Sequence, residues 1–320
     1  MDKMDHANAS GRSLAENRTD TDDQISSSSN LNMAAKEKGR RTEKQKPDPH
    51  KKKAVFLDLD GTFWNREVIP ASAKEAVKKA RENGNLVFVN TGRTADNIPQ
   101  FLWDMDLDGY LLATGMDLYR GQNNFRKYTM DEERVRKIER YLKEHGCGYS
   151  LQEERVNYDD PKFAFRRMVF FEKENRREWM NRVNLDGVQI HPRDQIMKVN
   201  FDTETPFDLQ PLLEKENLDV LFYVNKHNPL NGFGSAYRGE LTDASHNKAL
   251  AMHEILDGIE ENYQLMAIGD SENDIPMFEE ADIAVCMGNG TEAAKAKADW
   301  ITDQIDNDGL YKAFAHYRLI

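Results

Sequence analysis

The sequence predicts an α/β protein, with a parallel-sheet core interrupted by an inserted α+β domain. Short apolar segments alternate with amphipathic helical segments over residues 51–125 and again over residues 243–320. This alternation is typical of strand–helix–strand units in a parallel sheet. Residues 126–242 group their strand and helix patterns differently, so we expect them to form a separate inserted domain. A chain of 320 residues is long enough for both domains.

The first strand carries the most informative residues. Residues 54–57 are an apolar run, as expected for a strand buried on both faces, and Asp58 and Asp60 follow it. Because side chains alternate along a strand, the two carboxylates share one side, and Gly61 then allows the backbone to turn sharply. Open α/β sheets bind ligands at this edge. An acidic turn in solvent is the alternative interpretation.

The remainder of the first core segment repeats the pattern. It contains a helix, a strand, a short helix and a strand at residues 71–83, 86–89, 98–105 and 110–112. Gly84 is a typical stop signal for the first of these helices. The second strand of the chain runs into Thr91 and Gly92, which places another polar cluster at a strand end.

The predicted inserted domain begins with a charged amphipathic helix that stops at Gly146. In order, its elements are a helix at 131–145, strand-like stretches at 164–171 and 196–201, a helix at 207–215 and a strand at 220–224. The α/β pattern then returns with a helix at 248–255, a strand at 265–268, a helix at 275–280, a strand at 283–285, a helix at 291–298, a strand at 300–301 and a terminal helix. The strand at 265–268 leads into Asp270, Asn273 and Asp274.

Charge and composition limit the classes of function. A net charge of -12 and a pI near 5.3 argue against nucleic acid or a membrane surface as the partner. No window approaches 18 apolar residues, and the N-terminus lacks the apolar segment of a signal peptide. Cys147 and Cys286 cannot form a disulfide framework, so we expect a cytoplasmic protein. The polar residues 1–50 are expected to be disordered. For the basic stretch that begins at Lys36, the alternative is a tether for an acidic partner.

Polar side chains from three strand ends are expected to meet at one edge of the sheet. They are the carboxylates Asp58 and Asp60, the hydroxyl of Thr91, and Asp270, Asn273 and Asp274, with Lys248 at the start of the helix that precedes the third strand. Carboxylates bind a hard cation such as Mg²⁺, and a lysine and a hydroxyl stabilise the charge of a transferring phosphoryl group. Taken singly, Thr91 is more typical of a helix cap and Lys248 of a solvated helix charge.

Four ordered motifs resemble those of the haloacid dehalogenase superfamily. They are DLDGT at 58–62, NTGR at 90–93, Lys248 and GDSEND at 269–274. The long insert between the second and third motifs resembles that of Cof-type, class IIB capped phosphatases, and residues 274–302 are similar to the tail of that family almost position by position. The resemblance spans residues 52–320. It implies a Rossmann-like parallel-sheet core with an inserted α+β (C2B-type) cap.

The resemblance also implies a role for each site residue. Asp58 would be the nucleophile that becomes aspartyl-phosphate, and Asp60 the general acid for the leaving alcohol and then the base for water. Thr91 and Lys248 would hold the phosphoryl oxygens, in a phosphate site that also includes Asp58, Gly61, Gly92 and Asn273. Mg²⁺ would be held by Asp58, Asp270 and the backbone carbonyl of Asp60, with Asp274 supporting the metal shell.

Two departures from the family pattern bear on the entrance to the site, and the role of Arg93 is left open between two alternatives. Thr114-Gly115-Met116 stands where relatives usually carry Asn-Gly-Ala, which bears on substrate preference. Phe63 and Trp64 are bulkier than the usual residues and are expected to line the entrance. Arg93 is expected either to cap its loop or to neutralise nearby acids.

The expected function is Mg²⁺-dependent hydrolysis of a small phosphomonoester such as a sugar phosphate, because a cap leaves little room for a macromolecule. Alternatives are a phosphomutase or phosphotransferase on the same scaffold, or a nonenzymatic metabolite-binding regulator, which loss of Asp58 or Asp60 would favour. Several cap side chains are candidates for recognising the leaving group, but the sequence does not determine which of them face the site. They are Arg166, Arg167, His191, Lys198 and His227.

Overall fold

The computed structural model describes residue 44 and residues 46–170, 183–187, 192–222 and 237–320. Nearly all of the tail expected to be disordered, 1–50, lies outside these residues. So do His191, His227 and the last two residues of the strand predicted at 220–224.

The strands and helices are numbered in chain order. The strands are β1 Lys53–Leu57, β2 Leu86–Asn90, β3 Gly109–Leu112, β4 Asp117–Arg120, β5 Asn123–Lys127, β6 Gly148–Gln152, β7 Asn157–Asp159, β8 Asn184–Leu185, β9 Lys198–Thr203, β10 Leu218–Phe222, β11 Tyr237–Asp243, β12 Gln264–Gly269, β13 Ile283–Cys286 and β14 Trp300–Ile301. The α-helices are α1 Ala71–Glu82, α2 Gln100–Trp103, α3 Glu132–Glu144, α4 Pro161–Phe170, α5 Gln210–Glu216, α6 Lys248–Glu254, α7 Ile275–Glu280, α8 Glu292–Lys295 and α9 Gly309–His316. Within the described parts of the chain, no helix combines the length and the hydrophobicity that a membrane crossing requires.

The core is an eight-stranded sheet in the order β14-β13-β12-β1-β2-β3-β4-β5. The strands from β14 to β3 are parallel, and the hairpin β4–β5 continues the sheet with antiparallel pairing. Inside the sheet, Val55 of β1 lies opposite Met266 of β12 and Val87 of β2. The parallel-sheet core that the sequence predicts is confirmed.

Alternate residues of β1 pack into two hydrophobic layers. Val55 and Leu57 belong to the layer that contains α1 and α9, whereas Ala54 and Phe56 belong to the layer that contains α6 and α7. Every residue of β1 is buried, which explains why its sequence is an apolar run rather than an alternating one. Burial of each Val, Leu or Phe side chain stabilises the fold by about 1.5–3 kcal/mol. Since both faces of the sheet are covered, polar groups collect at the strand ends.

The cap contains a six-stranded sheet in the order β10-β11-β9-β6-β7-β8. Its pairs are antiparallel except for β7–β8. The helices α3 and α5 pack against one face, in a cluster that includes Val199 and Phe201 of β9. Because side chains alternate along a strand, Lys198 and Asn200 lie on the opposite face. From that face the Lys198 ammonium reaches the carbonyl oxygen of Gly92 in the core.

One predicted strand is in fact a helix. The stretch 164–171, interpreted as strand-like, falls in α4 as far as the structure describes it. The Asp160 carboxylate accepts a backbone N–H of the first turn at 2.9 Å, and Pro161 follows it, a combination that starts helices. Phe163 is buried and Phe165 exposed, so the apolar residues do not share one face of a strand. The prediction was wrong because a short apolar run does not by itself separate strand from helix.

Several strands had no counterpart in the sequence prediction, namely β4 to β8 and β11. The edge strand β5, Asn-Asn-Phe-Arg-Lys, has residues that are all partly or fully exposed, so no apolar pattern marks it. In β11 the residues alternate, and Leu241 points into the cap core while Glu240 points to the opposite face. That alternation is a signal that the sequence analysis missed.

Candidate active site

The polar side chains predicted to converge come from the carboxyl ends of β1, β2 and β12 and from the start of α6. Asp58 directly follows β1, and its backbone N–H donates to Ile268 of β12 at 2.9 Å, so the two strand ends stay in register. Asn90, the last residue of β2, donates its side-chain amide to the carbonyl oxygen of Lys248 at 3.0 Å. Packing of the parallel strands thus brings together groups that are far apart in sequence.

Lys248 lies between two buried carboxylates. Its ammonium is 2.6 Å from Asp58 Oδ1 and 2.7 Å from Asp274 Oδ1, and only 1% of its side chain is exposed. Burial alone would lower the pKa of Lys248, but the charges of Asp274 and Asp58 outweigh burial and raise it above the usual value. The lysine therefore carries a fixed positive charge beside Asp58.

Negative charge nevertheless exceeds positive charge at this point. One carboxylate oxygen from each of Asp58, Asp270 and Asp274 lies within 4.8 Å of the others. Burial and the charge of Asp274 raise the pKa of Asp58 well above its ordinary value, and the same two causes raise the pKa of Asp270 to about 7. Three crowded carboxylates, of which Asp58 and Asp270 have raised pKa values, are a donor set that a bound divalent cation would stabilise.

The backbone at Gly61 lies close against this cluster. Gly61 has φ +87°, a left-handed conformation, and a Cβ added there would lie 2.5 Å from Asp270 Oδ2. Asp274 accepts the backbone N–H groups of Asp270 and Ser271 at 2.9 and 3.1 Å, which fixes its carboxylate. Asn273 accepts a hydrogen bond from the Ser271 hydroxyl. Glycine at position 61 is thus required both by backbone conformation and by space.

Asp60 is not part of this cluster, and its side chain is about half exposed. Arg93 donates two hydrogen bonds of 2.8 Å to the Asp60 carboxylate, and the indole N–H of Trp64 donates to the same carboxylate at 2.9 Å. Arg93 also donates to the carbonyl oxygen of Asn97 at 3.1 Å, so it both neutralises an acid and ties down its own loop. The sequence left those two roles as alternatives.

The expectation that Phe63 and Trp64 line an entrance is corrected by the structure. Both side chains are fully buried in the hydrophobic layer next to α1. The Trp64 ring lies under the Arg93 guanidinium, with 4.9 Å between the guanidinium carbon and the ring centroid. Trp64 therefore supports the Asp60–Arg93 pair from below, a contact that sequence reasoning did not anticipate.

Thr91 and Gly92 occupy the loop that follows β2. Thr91 is buried, and its hydroxyl oxygen accepts the backbone N–H of Arg93 at 3.3 Å. The Gly92 carbonyl oxygen accepts from the ammonium of Lys198. The site thus gathers the predicted residues in two groups: Asp58, Lys248, Asp270 and Asp274 around one point, and Asp60, Thr91 and Gly92 in the surrounding loops.

Two other cap side chains named from the sequence and described by the structure, Arg166 and Arg167, have partners within the cap. Arg166 donates to the Asp202 carboxylate at 2.5 Å and to its backbone oxygen at 3.1 Å. Arg167 lies over the ring of Phe163 at 5.7 Å. Of the candidates that the structure describes, Lys198 contacts the core, and its partner Glu240 was missed.

Fold and site together define a capped α/β protein with a carboxylate cluster and a buried lysine at the carboxyl edge of a parallel sheet. The family model described as haloacid dehalogenase-like hydrolase matches residues 55–314, and the chain belongs to this family. The predicted superfamily and fold class are therefore confirmed. The predicted enzyme class, a phosphatase acting on phosphomonoesters, is confirmed by this match together with relatives that are named phosphatases.

Two relatives and two solved structures illustrate the similarity. The chain is 26% identical over 274 residues to the 5-amino-6-(5-phospho-D-ribitylamino)uracil phosphatase YcsE of Bacillus subtilis (83% of this chain, 96% of the relative) and 28% identical over 281 residues to YwtE, a phosphatase of the same name from the same organism (81% and 95%). The HAD phosphatase BT1666 of Bacteroides thetaiotaomicron superposes with a TM-score of 0.68 at 23% identity (85% of this chain, 97% of that chain). The HAD subclass IIB sugar phosphatase BT4131 superposes with a TM-score of 0.63 at 23% identity (84% and 100%).

Proposed function

We propose that this protein hydrolyses a small phosphomonoester, with Mg²⁺ as cofactor and Asp58 as the residue that carries the phosphoryl group. The observation that carries the proposal is the placement of Asp58 against a buried lysine, with Asp270 and Asp274 on the same side. A carboxylate attacks an anionic phosphate poorly unless cations offset the repulsion. Lys248 supplies one cation, and the remaining carboxylates fit a second.

The donor set fits Mg²⁺ on chemical grounds. Asp58, Asp270 and Asp274 offer oxygen atoms within 4.8 Å of one another, and Mg²⁺ prefers one or two carboxylates with water and phosphate oxygens as its other ligands. We propose that Asp58, Asp270 and the Asp60 backbone carbonyl hold the ion and that Asp274 supports the metal shell. When bound, the ion would neutralise charge on the substrate phosphate.

The two chemical steps assign different tasks to Asp58 and Asp60. In the first, an Asp58 oxygen bonds to phosphorus, the bond from phosphorus to the leaving alcohol breaks, and Asp60 gives that alcohol a proton. In the second, water attacks the phosphorus of the aspartyl-phosphate, its proton passes to Asp60, and the bond to Asp58 breaks. Thr91 and Lys248 would hold the phosphoryl oxygens throughout, together with backbone groups of Gly61 and Gly92 and the side chain of Asn273.

The substrate class is supported by the names of relatives and by the cap. Relatives include phosphatases of 5-amino-6-(5-phospho-D-ribitylamino)uracil and of phosphoglycolate, and a neighbour by structure is a sugar phosphatase. These phosphomonoesters are small, polar compounds. The cap face that carries Lys198, Asn200 and Glu240 is polar too. We therefore propose a hydroxylated metabolite phosphate, such as a sugar or sugar-alcohol phosphate, as the substrate.

The test compares Asp60→Asn with Asp58→Asn on an aryl phosphate in the presence of Mg²⁺. An aryl leaving group needs no acid, so Asp60→Asn should release about one aryl alcohol per active site in a rapid burst. Turnover should then be about 10²–10⁴-fold slower than in the wild-type enzyme, because hydrolysis of the aspartyl-phosphate lacks its base. Asp58→Asn should give no burst. Mass spectrometry of the quenched burst should find the phosphoryl group on Asp58.

An alkyl phosphate serves as the control, because its leaving group does need the acid. With this substrate the first step of Asp60→Asn should slow as well, and the burst should disappear. Full activity of Asp60→Asn, or a phosphoryl group found on another residue, would refute the assigned roles.

A further inference from the structure

We propose that Lys198, Glu240 and Thr114 form a bridge from the cap to the loop 91–93 and that this bridge positions the Thr91 hydroxyl for phosphoryl transfer. The proposal rests on the proposed function for the task of Thr91. The new element is that cap residues position a catalytic group and so affect the rate of phosphoryl transfer, rather than recognise the leaving group.

The bridge is a buried ion pair with a contact to the core on each side. Lys198 on β9 and Glu240 on β11 are 2.6 Å apart, with 5% and 3% of their side chains exposed. Lys198 also donates to the carbonyl oxygen of Gly92, and the Thr114 hydroxyl donates to the second oxygen of Glu240 at 3.0 Å. Each member of the cap pair therefore holds one residue of the core.

A single peptide unit connects the bridge to Thr91. The Gly92 carbonyl that accepts from Lys198 belongs to the same peptide as the Arg93 N–H, and this N–H donates to the Thr91 hydroxyl oxygen at 3.3 Å. The ammonium therefore fixes the plane of that peptide and polarises its N–H. Because the Thr91 oxygen accepts this bond, its own O–H is directed elsewhere and remains able to donate to a phosphoryl oxygen.

The backbone at Thr114 supports the same conclusion. Ala113 and Thr114 have φ values of 49° and 59°, in the left-handed region that a β-branched residue rarely adopts. The loop is held there by Ala113 N–H donating to the Arg93 carbonyl at 2.8 Å and by Thr114 N–H donating to the Thr91 carbonyl at 3.1 Å. Strained conformations persist where the surroundings impose them, and they concentrate at functional sites. Thr114 thus braces the loop from below while its hydroxyl reaches Glu240.

Lys198 is better suited to positioning than to binding the leaving group. Two of its three N–H donors are taken by Glu240 and by Gly92, and its side chain is almost fully buried. Breaking one partner of a buried pair leaves the other charge without compensation. Removal of Lys198 should therefore disturb both Glu240 and the Gly92 peptide.

The test is a double-mutant cycle between Lys198→Met and Thr91→Ala, assayed on a small aryl phosphate that lacks hydroxyl groups for the cap to recognise. Misplacing a catalytic group by about 1 Å costs on the order of 10²-fold. We expect Lys198→Met to lower kcat about 10- to 100-fold in the wild-type background. In the Thr91→Ala background it should lower kcat less than threefold, because the residue through which it acts is gone.

Matched variants separate positioning from stability. Arg193 forms a largely buried ion pair with Glu139 and Asp186 inside the cap, with 13% of its side chain exposed, so Arg193→Met should lower the thermal midpoint without changing kcat. If Lys198→Met does not fold, Thr114→Val and Thr114→Ser carry the test. The valine removes the hydroxyl and should lower kcat several-fold, whereas the serine keeps the hydroxyl and should restore it.

Independent effects of Lys198→Met and Thr91→Ala on kcat, or equal activity of Thr114→Val and Thr114→Ser, would overturn the bridge. An unaffected kcat in Thr91→Ala alone would instead refute the role of Thr91 in the proposed function. The failures of the two proposals can thus be distinguished.

Discussion

Replacing Lys248 with methionine should cost the protein most of its activity and a large part of its stability. Methionine matches the apolar stem of lysine in length. It removes the ammonium that lies 2.6 Å from Asp58 and 2.7 Å from Asp274, so both carboxylates stay buried without their cation. Removing one partner of a buried ion pair typically costs about 3–5 kcal/mol. In a domain of this size, that loss corresponds to a decrease of roughly 10 °C in the thermal midpoint.

The pH dependence of this loss follows from the carboxylates. The lysine lowers the pKa of Asp58, which burial and Asp274 have already raised, so its removal should raise that pKa further. A carboxyl with a raised pKa in the folded state favours folding at low pH, and this advantage is lost as the pH rises. The destabilisation by Lys248→Met should therefore be larger at pH 8 than at pH 5.5, measured by circular dichroism with EDTA present.

A second substitution separates charge from packing. Adding Asp274→Asn to Lys248→Met removes one of the two uncompensated carboxylates, so it should restore much of the thermal midpoint while activity stays low. A midpoint for Lys248→Met within about 2 °C of the wild-type value, or no recovery in the double variant, would refute the interpretation of Lys248 as the counter-charge of a buried carboxylate cluster.

Two further predictions concern Gly61 and Asp117. Gly61→Ala should lower kcat/KM at least tenfold, because its Cβ would lie 2.5 Å from Asp270 Oδ2. The control is Gly121→Ala: Gly121 also has a left-handed φ, +55°, but a Cβ there would meet no atom within 4 Å, so this variant should lose stability without losing activity. Equal kinetics for the two variants would contradict the steric argument. Asp117 is buried in β4, and burial raises its pKa from 3.8 to about 6. A raised pKa favours the folded state at low pH, and this advantage is lost as the pH rises. As the pH rises from about 4 to about 6, the free energy of unfolding of the wild-type protein should therefore fall relative to that of Asp117→Asn, by at most about 3 kcal/mol. A constant difference between the two proteins in urea titrations would show that Asp117 ionises normally.

Local patterns in the sequence determined the central strands of the core and the residues at their ends. The apolar run at β1 identifies a strand buried on both faces, and a polar residue can follow such a strand only where the sheet ends. The convergence of Asp58, Asp270 and Asp274 then follows from parallel pairing, because all carboxyl ends lie on one edge. This part of the candidate site could be predicted because strand direction alone brings the residues together.

Only the tertiary structure determined which side chains from distant parts of the chain contact one another. The hydrogen bond from Arg93 to Asp60 joins residues 33 positions apart, and the hydrogen bond from Lys198 to Gly92 joins residues 106 positions apart. Neither pairing has a periodic signal in the sequence. Both depend on which way a loop turns and on how the cap sheet packs over the core, and those are determined by the packing of the whole chain rather than by the residues on either side.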